Sequence, residues 1–329
     1  LRQKIQEGIS CDFCHSVTKE STTVHTDNNV VAIADYSLNP GEGVKYGSRK
    51  NPLSNEYHDS QYNALFKSSD FCLPCHNMTV REKEFEMTFT EWARIPGNDM
   101  GDLNSCQSCH MKEKDDGSGN HWHYFTGVDV DLNKTHGDSK FDSQYAAVLD
   151  LLQGAVNLEF SDKDEIKING DSLFIPVKIT SKTQHALPSG TSFSREAWLE
   201  VQVLNSETQQ LLLSSGMVSD TSDLDLTDEN LKVFTSYLLD INGDVTSSVT
   251  RAHDIIKKML PAFPAVYHNY KFKGDFSGVN ELDIKIIMRF RAFKPHLLKA
   301  DPDLRNLLNN MPVFEMANIH EIVYIQSPP

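Results

Sequence analysis

The six cysteines of this 329-residue chain fall in three pairs: Cys11 and Cys14, Cys72 and Cys75, Cys106 and Cys109. Each pair is followed at once by a histidine, His15, His76 or His110, and no cysteine is left over. In Cys-x-x-Cys-His the two thiols can add to the two vinyl groups of one haem, while the adjacent imidazole reaches the iron from the same short turn. Other chemistries fit poorly. Structural zinc takes four ligands per site, so such pairs come in twos and a third pair would be unmatched. A thioredoxin-like redox disulfide explains one pair in a βαβ setting, not three in turn-rich segments. A disulfide framework closes larger loops and has no use for the histidines. The spacing therefore points to three covalently attached haem c groups as a minimum. All six cysteines are the attachment points, and His15, His76 and His110 are the proximal iron ligands.

The elements that must position these motifs divide the chain in two. Residues 1–154 are rich in Asp, Asn, Ser, Gly and His, with turn signals such as Asn39-Pro40-Gly41 and Asp116-Gly117-Ser118-Gly119. That composition makes a weak core by itself, and the large apolar haem rings are expected to stand in for it. Short helices are expected at 60–68, 89–94 and 145–152. From about residue 155 the pattern switches to short runs with β-branched residues, at 156–160, 166–168, 173–179, 198–203, 282–290 and 319–325. Asn169-Gly170 and Asn242-Gly243 are hairpin signals, and helices are expected at 229–239 and 301–310. The fold class read from this is α+β: an irregular, short-helical multihaem domain over 1–154, then an antiparallel β-sandwich over 155–329 acting in docking or assembly.

Composition narrows the partners. A net charge of −15 and an isoelectric point near 5.3 leave no basic face for nucleic acid. No stretch approaches the roughly 18 apolar residues needed to span a bilayer. No signal peptide is present, and Leu1 lies ten residues before the first motif cysteine, so the chain reads as a mature or trimmed product. Ser219-Asp220-Thr221-Ser222-Asp223-Leu224-Asp225 could hold calcium, but it lacks the spacing of a known loop and reads better as a solvated acidic turn.

Several segments together resemble the cytochrome c554-like multihaem proteins. Gly8-Ile9-Ser10-Cys11-Asp12-Phe13-Cys14-His15 is similar to their G-[IV]-S-C-x-x-C-H segment. Thr88-Glu91-Trp92 resembles a T-x-x-E-W segment, Cys106-Gln107-Ser108-Cys109-His110-Met111 a C-Q-x-C-H-M motif, and His123-Tyr124-Phe125-Thr126-Gly127 an H-x-F-x-G segment. His185-Ala186-Leu187-Pro188-Ser189-Gly190, with Arg195 and Trp198, resembles the signature of a β domain appended to some of these cytochromes. Such relatives often carry a further Cys-x-x-Cys-His upstream, for which there is no room here.

The resemblance implies a distal ligand opposite each proximal histidine. His58 and His123 lie in matching segments and are the first candidates; His185, from the β domain, is the third. His25, His121 and His136 follow. His121, two residues from His123, points the opposite way on an extended strand and is not expected to share its iron. Met78 and Met111 sit too close to a proximal histidine to reach the opposite face, so bis-histidine ligation is the expectation, which favours low potentials.

The implied function is electron transfer among closely spaced haems, within a larger cytochrome assembly or an extracellular filament. The implied partners are other redox proteins, cytochrome subunits or further copies of the chain. The alternative is an oxidoreductase acting on nitrite or hydroxylamine at an open-coordinate haem. Covalent haem implies export, to the periplasm, the cell surface or beyond.

Overall fold

The structure, a computed structural model, describes residues 9–20, 36–81, 83–98 and 104–325. It forms two compact units, Leu1–Phe125 and Thr126–Pro329. This boundary precedes the one expected between residues 154 and 155.

In the first unit the elements are short. Helix α1 (Cys11–His15) starts at Ser10, whose hydroxyl accepts from the Phe13 N–H at 3.3 Å and satisfies one of the free donors of the first turn. Strand β1 (Val17–Glu20) pairs antiparallel with β2 (Tyr36–Leu38), and β3 (Val44–Gly47) pairs parallel with β4 (Asp59–Tyr62). Two 3₁₀ turns, Ala64–Lys67 and Ser69–Phe71, lead into the second motif. The hairpin of β5 (Met78–Val80) and β6 (Lys83–Glu86) follows, then α2 (Thr88–Ala93) and α3 (Cys106–His110).

The buried apolar side chains here are few, among them Val17, Leu65, Phe85 and Met87. A chain of aromatic contacts supplements them. Phe13 meets Tyr36 edge-on at 5.7 Å, Tyr36 meets Phe71 at 5.8 Å, Phe71 meets Phe66 at 4.9 Å, and Phe66 stacks on His15 at 5.6 Å. These rings tie the first motif to the turns that enter the second.

The second unit begins with α4 (Ser139–Gln153), capped by the Asp138 carboxylate, which accepts from the Lys140 and Phe141 N–H groups. Its Val148 and Leu152 enter the main core and Tyr145 stacks on Phe314 at 4.8 Å, so this helix packs with the strands that follow it. Next come β7 (Val156–Phe160), β8 (Lys167–Asn169), β9 (Ser172–Ser181), β10 (Glu196–Asn205), β11 (Leu211–Ser215) and β12 (Val233–Leu239). They are followed by β13 (Val245–Thr246), β14 (Asp254–Lys258), β15 (Val266–Lys273), β16 (Glu281–Arg291), the short helix α5 (Pro295–Ala300) and β17 (Phe314–Tyr324).

One sheet runs β13-β12-β10-β16-β17, with β11 on β10 and β14 on β12; the other runs β15-β9-β7 with β8 on β9. Ile175, Val177 and Ile179 of β9 share one core with Leu199, Val201 and Val203 of β10 and Ile284, Ile286 and Met288 of β16. That is the layering of two sheets packed face to face. Gly170 (φ +62°) and Gly243 (φ +84°) sit in the β8–β9 and β12–β13 turns, where the Asn-Gly signals placed hairpins.

Two expectations are corrected. The α+β class does not hold: the structure is mostly strand, 34% against 17% helix, in several sheets and with no closed barrel among the described residues. The reason is local. Two haem motifs yield helices of only five residues, and much of the chain between motifs pairs as short strands instead of coiling. The stretch 229–239 is not a helix but enters β12, where Phe234 and Leu238 are buried and the strand is paired on both edges, with β10 and with β14. Sheet pairing overrides a helical reading when β-branched and aromatic residues find partners on both sides.

The acidic turn at 219–225 is satisfied from within. The buried Arg291 guanidinium donates to the carbonyls of Ser222 (2.7 Å) and Asp220 (3.4 Å), and Asp223 pairs with His296 and Lys299.

Candidate haem sites

The first motif is the most completely framed. His15, at the last position of α1, donates from Nδ1 to the Tyr46 carbonyl at 2.6 Å. A carbonyl can only accept, so the proton sits on Nδ1 and the Nε2 lone pair is left for a metal, which is how ligating histidines are normally held. His123 is bound in the same way, its Nδ1 donating to the His121 carbonyl at 3.0 Å. The centres of the two imidazoles lie 6.2 Å apart, with planes at 39°. Two imidazole–metal bonds of about 2 Å each, added to the ring radii, require a separation of about 6 Å. The structure thus brings His15 together with His123, one of the two leading distal candidates.

His121 turns elsewhere. Its Nδ1 donates at 2.6 Å to the carbonyl of Met111, the residue that ends α3 in the third motif, again leaving Nε2 free. Alternation along an extended segment thus sends neighbouring histidines to different motifs.

His58, just before β4, donates from Nδ1 to the Asp59 carbonyl (3.0 Å), and its Nε2 lies 3.2 Å from the Asn55 amide nitrogen. In the second unit, His185 is half-buried on the loop between β9 and β10, its Nδ1 donating to the Ala186 carbonyl at 2.9 Å. His136 faces the start of α4, with Nδ1 2.9 Å from an Asp142 carboxylate oxygen and its ring edge-on to Phe141 and Tyr145. His25 lies outside the described residues.

The second and third motifs are in direct contact. The Cys106 N–H donates to the Ser69 hydroxyl at 3.0 Å, and the Gln107 amide donates to the Ser68 carbonyl at 2.7 Å. This seats α3 on the turn that enters the second motif. The thiols of Cys72 and Cys106 lie near enough to shift each other's titration. The Cys106 thiol, burial and the other neighbouring thiols push the Cys72 thiol up, while Cys72 and the Ser69 hydroxyl pull Cys106 down to about 7 in spite of burial. Cys14, raised chiefly by burial, lies within electrostatic reach of Cys11 and Cys75, and the Tyr36 hydroxyl contacts Cys75 while donating to the Phe71 carbonyl at 2.6 Å. The three motifs therefore converge.

The second motif differs from the others in form. Cys72–His76 closes a turn, with the Cys75 and His76 N–H groups both donating to the Cys72 carbonyl. Beside it lies a buried carboxylate. Glu86, 6% exposed at the end of β6, accepts on Oε1 from the Thr88 N–H (3.3 Å) and hydroxyl. Burial raises its pKa, while the Thr88 donors oppose the rise.

Tyr46, Ser69 and Glu86 were not foreseen. Tyr46 offers only a backbone carbonyl, and no residue pattern marks a buried glutamate two residues before a helix. Ser10 and Ser105, N-caps one residue ahead of their motifs, were not foreseen either, although a serine at that position is a signal that marks a helix start.

These observations fit covalent haem. The cysteines are exposed or half-buried and so open to attachment, the motif backbones close short turns, and the His15–His123 pair stands at a spacing at which both rings could hold one metal. No protein-family model and no curated protein matches the chain. Among solved structures, the penta-heme cytochrome c552 from Thermochromatium tepidum matches with a TM-score of 0.63 at 16% identity, over 96% of this chain and 77% of that one. At this identity the likeness is one of fold: the chain is folded like a multihaem cytochrome c. Among the described residues no helix is long and apolar enough to cross a membrane.

Proposed function

We propose that this chain is a multihaem c-type cytochrome that transfers electrons through closely spaced haems. The observation that carries the reading is the seating of the third motif on the turn that enters the second, through the Cys106 N–H to the Ser69 hydroxyl and the Gln107 amide to the Ser68 carbonyl, since anchors held together hold their cofactors as neighbours. Haem supplies reversible one-electron chemistry when bound. The chain's part is to attach it through Cys11, Cys14, Cys72, Cys75, Cys106 and Cys109, to ligate it through His15, His76 and His110, and to orient those imidazoles through backbone carbonyls.

His123 is proposed as the distal ligand opposite His15, His121 as a ligand near the third motif, and His58 as a further distal ligand. Bis-histidine ligation leaves no position for a substrate, which favours electron carriage over turnover of nitrite or hydroxylamine. The second unit is proposed as a docking or assembly module for redox partners, cytochrome subunits or further copies, and the chain as exported, in keeping with covalent haem.

Intact mass and low-temperature electron paramagnetic resonance of the oxidised protein test the reading. The expected result is a mass increment of three haems, low-spin ferric signals only, and three one-electron waves. High-spin iron together with turnover of nitrite or hydroxylamine overturns it in favour of an enzyme.

A further inference from the structure

We propose that Glu86 accepts the ring N–H of His76 and thereby lowers the potential of the haem held by Cys72, Cys75 and His76. The inference rests on the haem reading of the motifs.

Two backbone connections bring these residues together. Met78, two residues past His76, is paired with Glu86 across the β5–β6 hairpin, and the Phe89 N–H donates to the His76 carbonyl at 2.9 Å. The register of that hairpin shifts between Met78 and Thr79, so that Glu86 faces Met78 while Glu84 faces Thr79. On a regular strand successive side chains point to opposite faces; a bulge breaks the rule and re-aims a side chain. Here it buries two successive residues, Phe85 at 1% and Glu86 at 6% exposure.

Glu86 is buried without being fully used. Oε1 takes both Thr88 donors, and Oε2 is enclosed with no hydrogen-bond partner among the described residues. An enclosed carboxylate oxygen lacking a donor is costly, and the cost is relieved when a ring N–H faces it. The hairpin register and the Phe89–His76 bond place His76 two residues from the strand partner of this carboxylate.

His15 differs in the acceptor it meets, since its ring N–H goes to the neutral Tyr46 carbonyl. A carboxylate draws the ring proton more strongly than a carbonyl does and makes the imidazole a stronger donor to iron. Stronger donation favours the ferric state. The two sites then differ in potential although their motifs read alike.

Spectroelectrochemistry of the haem-loaded full chain tests this. Glu86→Gln is expected to raise a single one-electron wave, with a tenfold or greater shift of that reduction equilibrium (about 59 mV). It should also change the g-values of one low-spin signal. Thr88→Val removes the hydroxyl donor from Oε1, leaves the carboxylate a stronger acceptor, and is expected to lower the same wave severalfold. Should Glu86→Gln fail to load haem, Thr88→Val alone decides. The assignment is overturned if no wave moves, if all three move together, or if Thr88→Val does not lower the wave. A protein that attaches no haem overturns instead the reading of the motifs.

Discussion

His15 and His123 lie with ring centres 6.2 Å apart, each donating its Nδ1 proton to a backbone carbonyl and leaving Nε2 outside that bond. His123→Ala is therefore expected to convert one haem, and one only, from low to high spin, with the other two unchanged. Electron paramagnetic resonance and the visible spectrum read this directly. An unaltered low-spin spectrum rejects the pairing. Tyr46 contributes only its carbonyl, so Tyr46→Phe should leave the spin state as it is.

Arg291 and Glu196 form a buried ion pair in the second unit. The Arg291 Nε donates to a Glu196 carboxylate oxygen at 2.6 Å, and its guanidinium lies 5.0 Å from the Trp198 ring centre. Removing one partner strands the other charge, so Glu196→Gln or Arg291→Met should cost about 3–5 kcal/mol. Arg291→Met also frees the turn at Asp220 and Ser222. Replacing both residues together by apolar ones should cost clearly less than the sum of the single changes. Urea unfolding followed by far-ultraviolet circular dichroism measures the difference; additive losses contradict the account.

Gly216 has φ +68°, and a Cβ there would meet the Leu199 carbonyl oxygen at 2.4 Å. Its own carbonyl accepts from the Trp198 indole N–H at 2.9 Å. Gly216→Ala combines a left-handed backbone with a clash against main chain, and a loss of about 3 kcal/mol or more is expected. Gly243→Ala, where nothing lies within 4 Å, should cost only the backbone strain. Equal losses in the two variants count against the steric argument.

His268 on β15 is pulled down to about 4, first by burial and then by the positive Lys232. Above about pH 6.5 the ring is neutral in both folded and unfolded chains. As pH falls from 6.5 to 4 the unfolded chain takes up the proton and the folded one does not, so stability is lost across that window. Screening at a ring still partly exposed limits the effect to roughly 1–2 kcal/mol. His268→Gln should flatten the pH dependence of the urea midpoint between pH 4 and 6.5. A slope identical to that of the parent chain contradicts the assignment.

Much of the strand pattern was legible in the chain. The runs at 156–160, 173–179, 198–203 and 282–290 all lie within strands, since β-branched residues in alternation bury on a sheet face whatever its partners. The helix at 60–68 was only partly so: β4 ends at Tyr62 and a 3₁₀ turn holds Ala64–Lys67, where Asn63 accepts from the Leu65 N–H. The stretch 229–239 misled because helical and strand readings of a short apolar run differ little until its neighbours are known. In the haem sites, the caps Ser10 and Ser105 act within three residues of themselves and could be read. Glu86 could not, because its burial follows from a bulge in a hairpin.

The residues proposed for haem attachment are set by the sequence alone. Two thiols and an imidazole within five residues can meet one macrocycle wherever the segment lies, because a single turn brings them together. What faces each imidazole was decided by the tertiary structure. His123 comes from the end of the first unit to stand across from His15, His121 is directed to the third motif, and Glu86 reaches the neighbourhood of His76 through strand pairing. These placements are set by how strands and turns pack, and no local pattern encodes them.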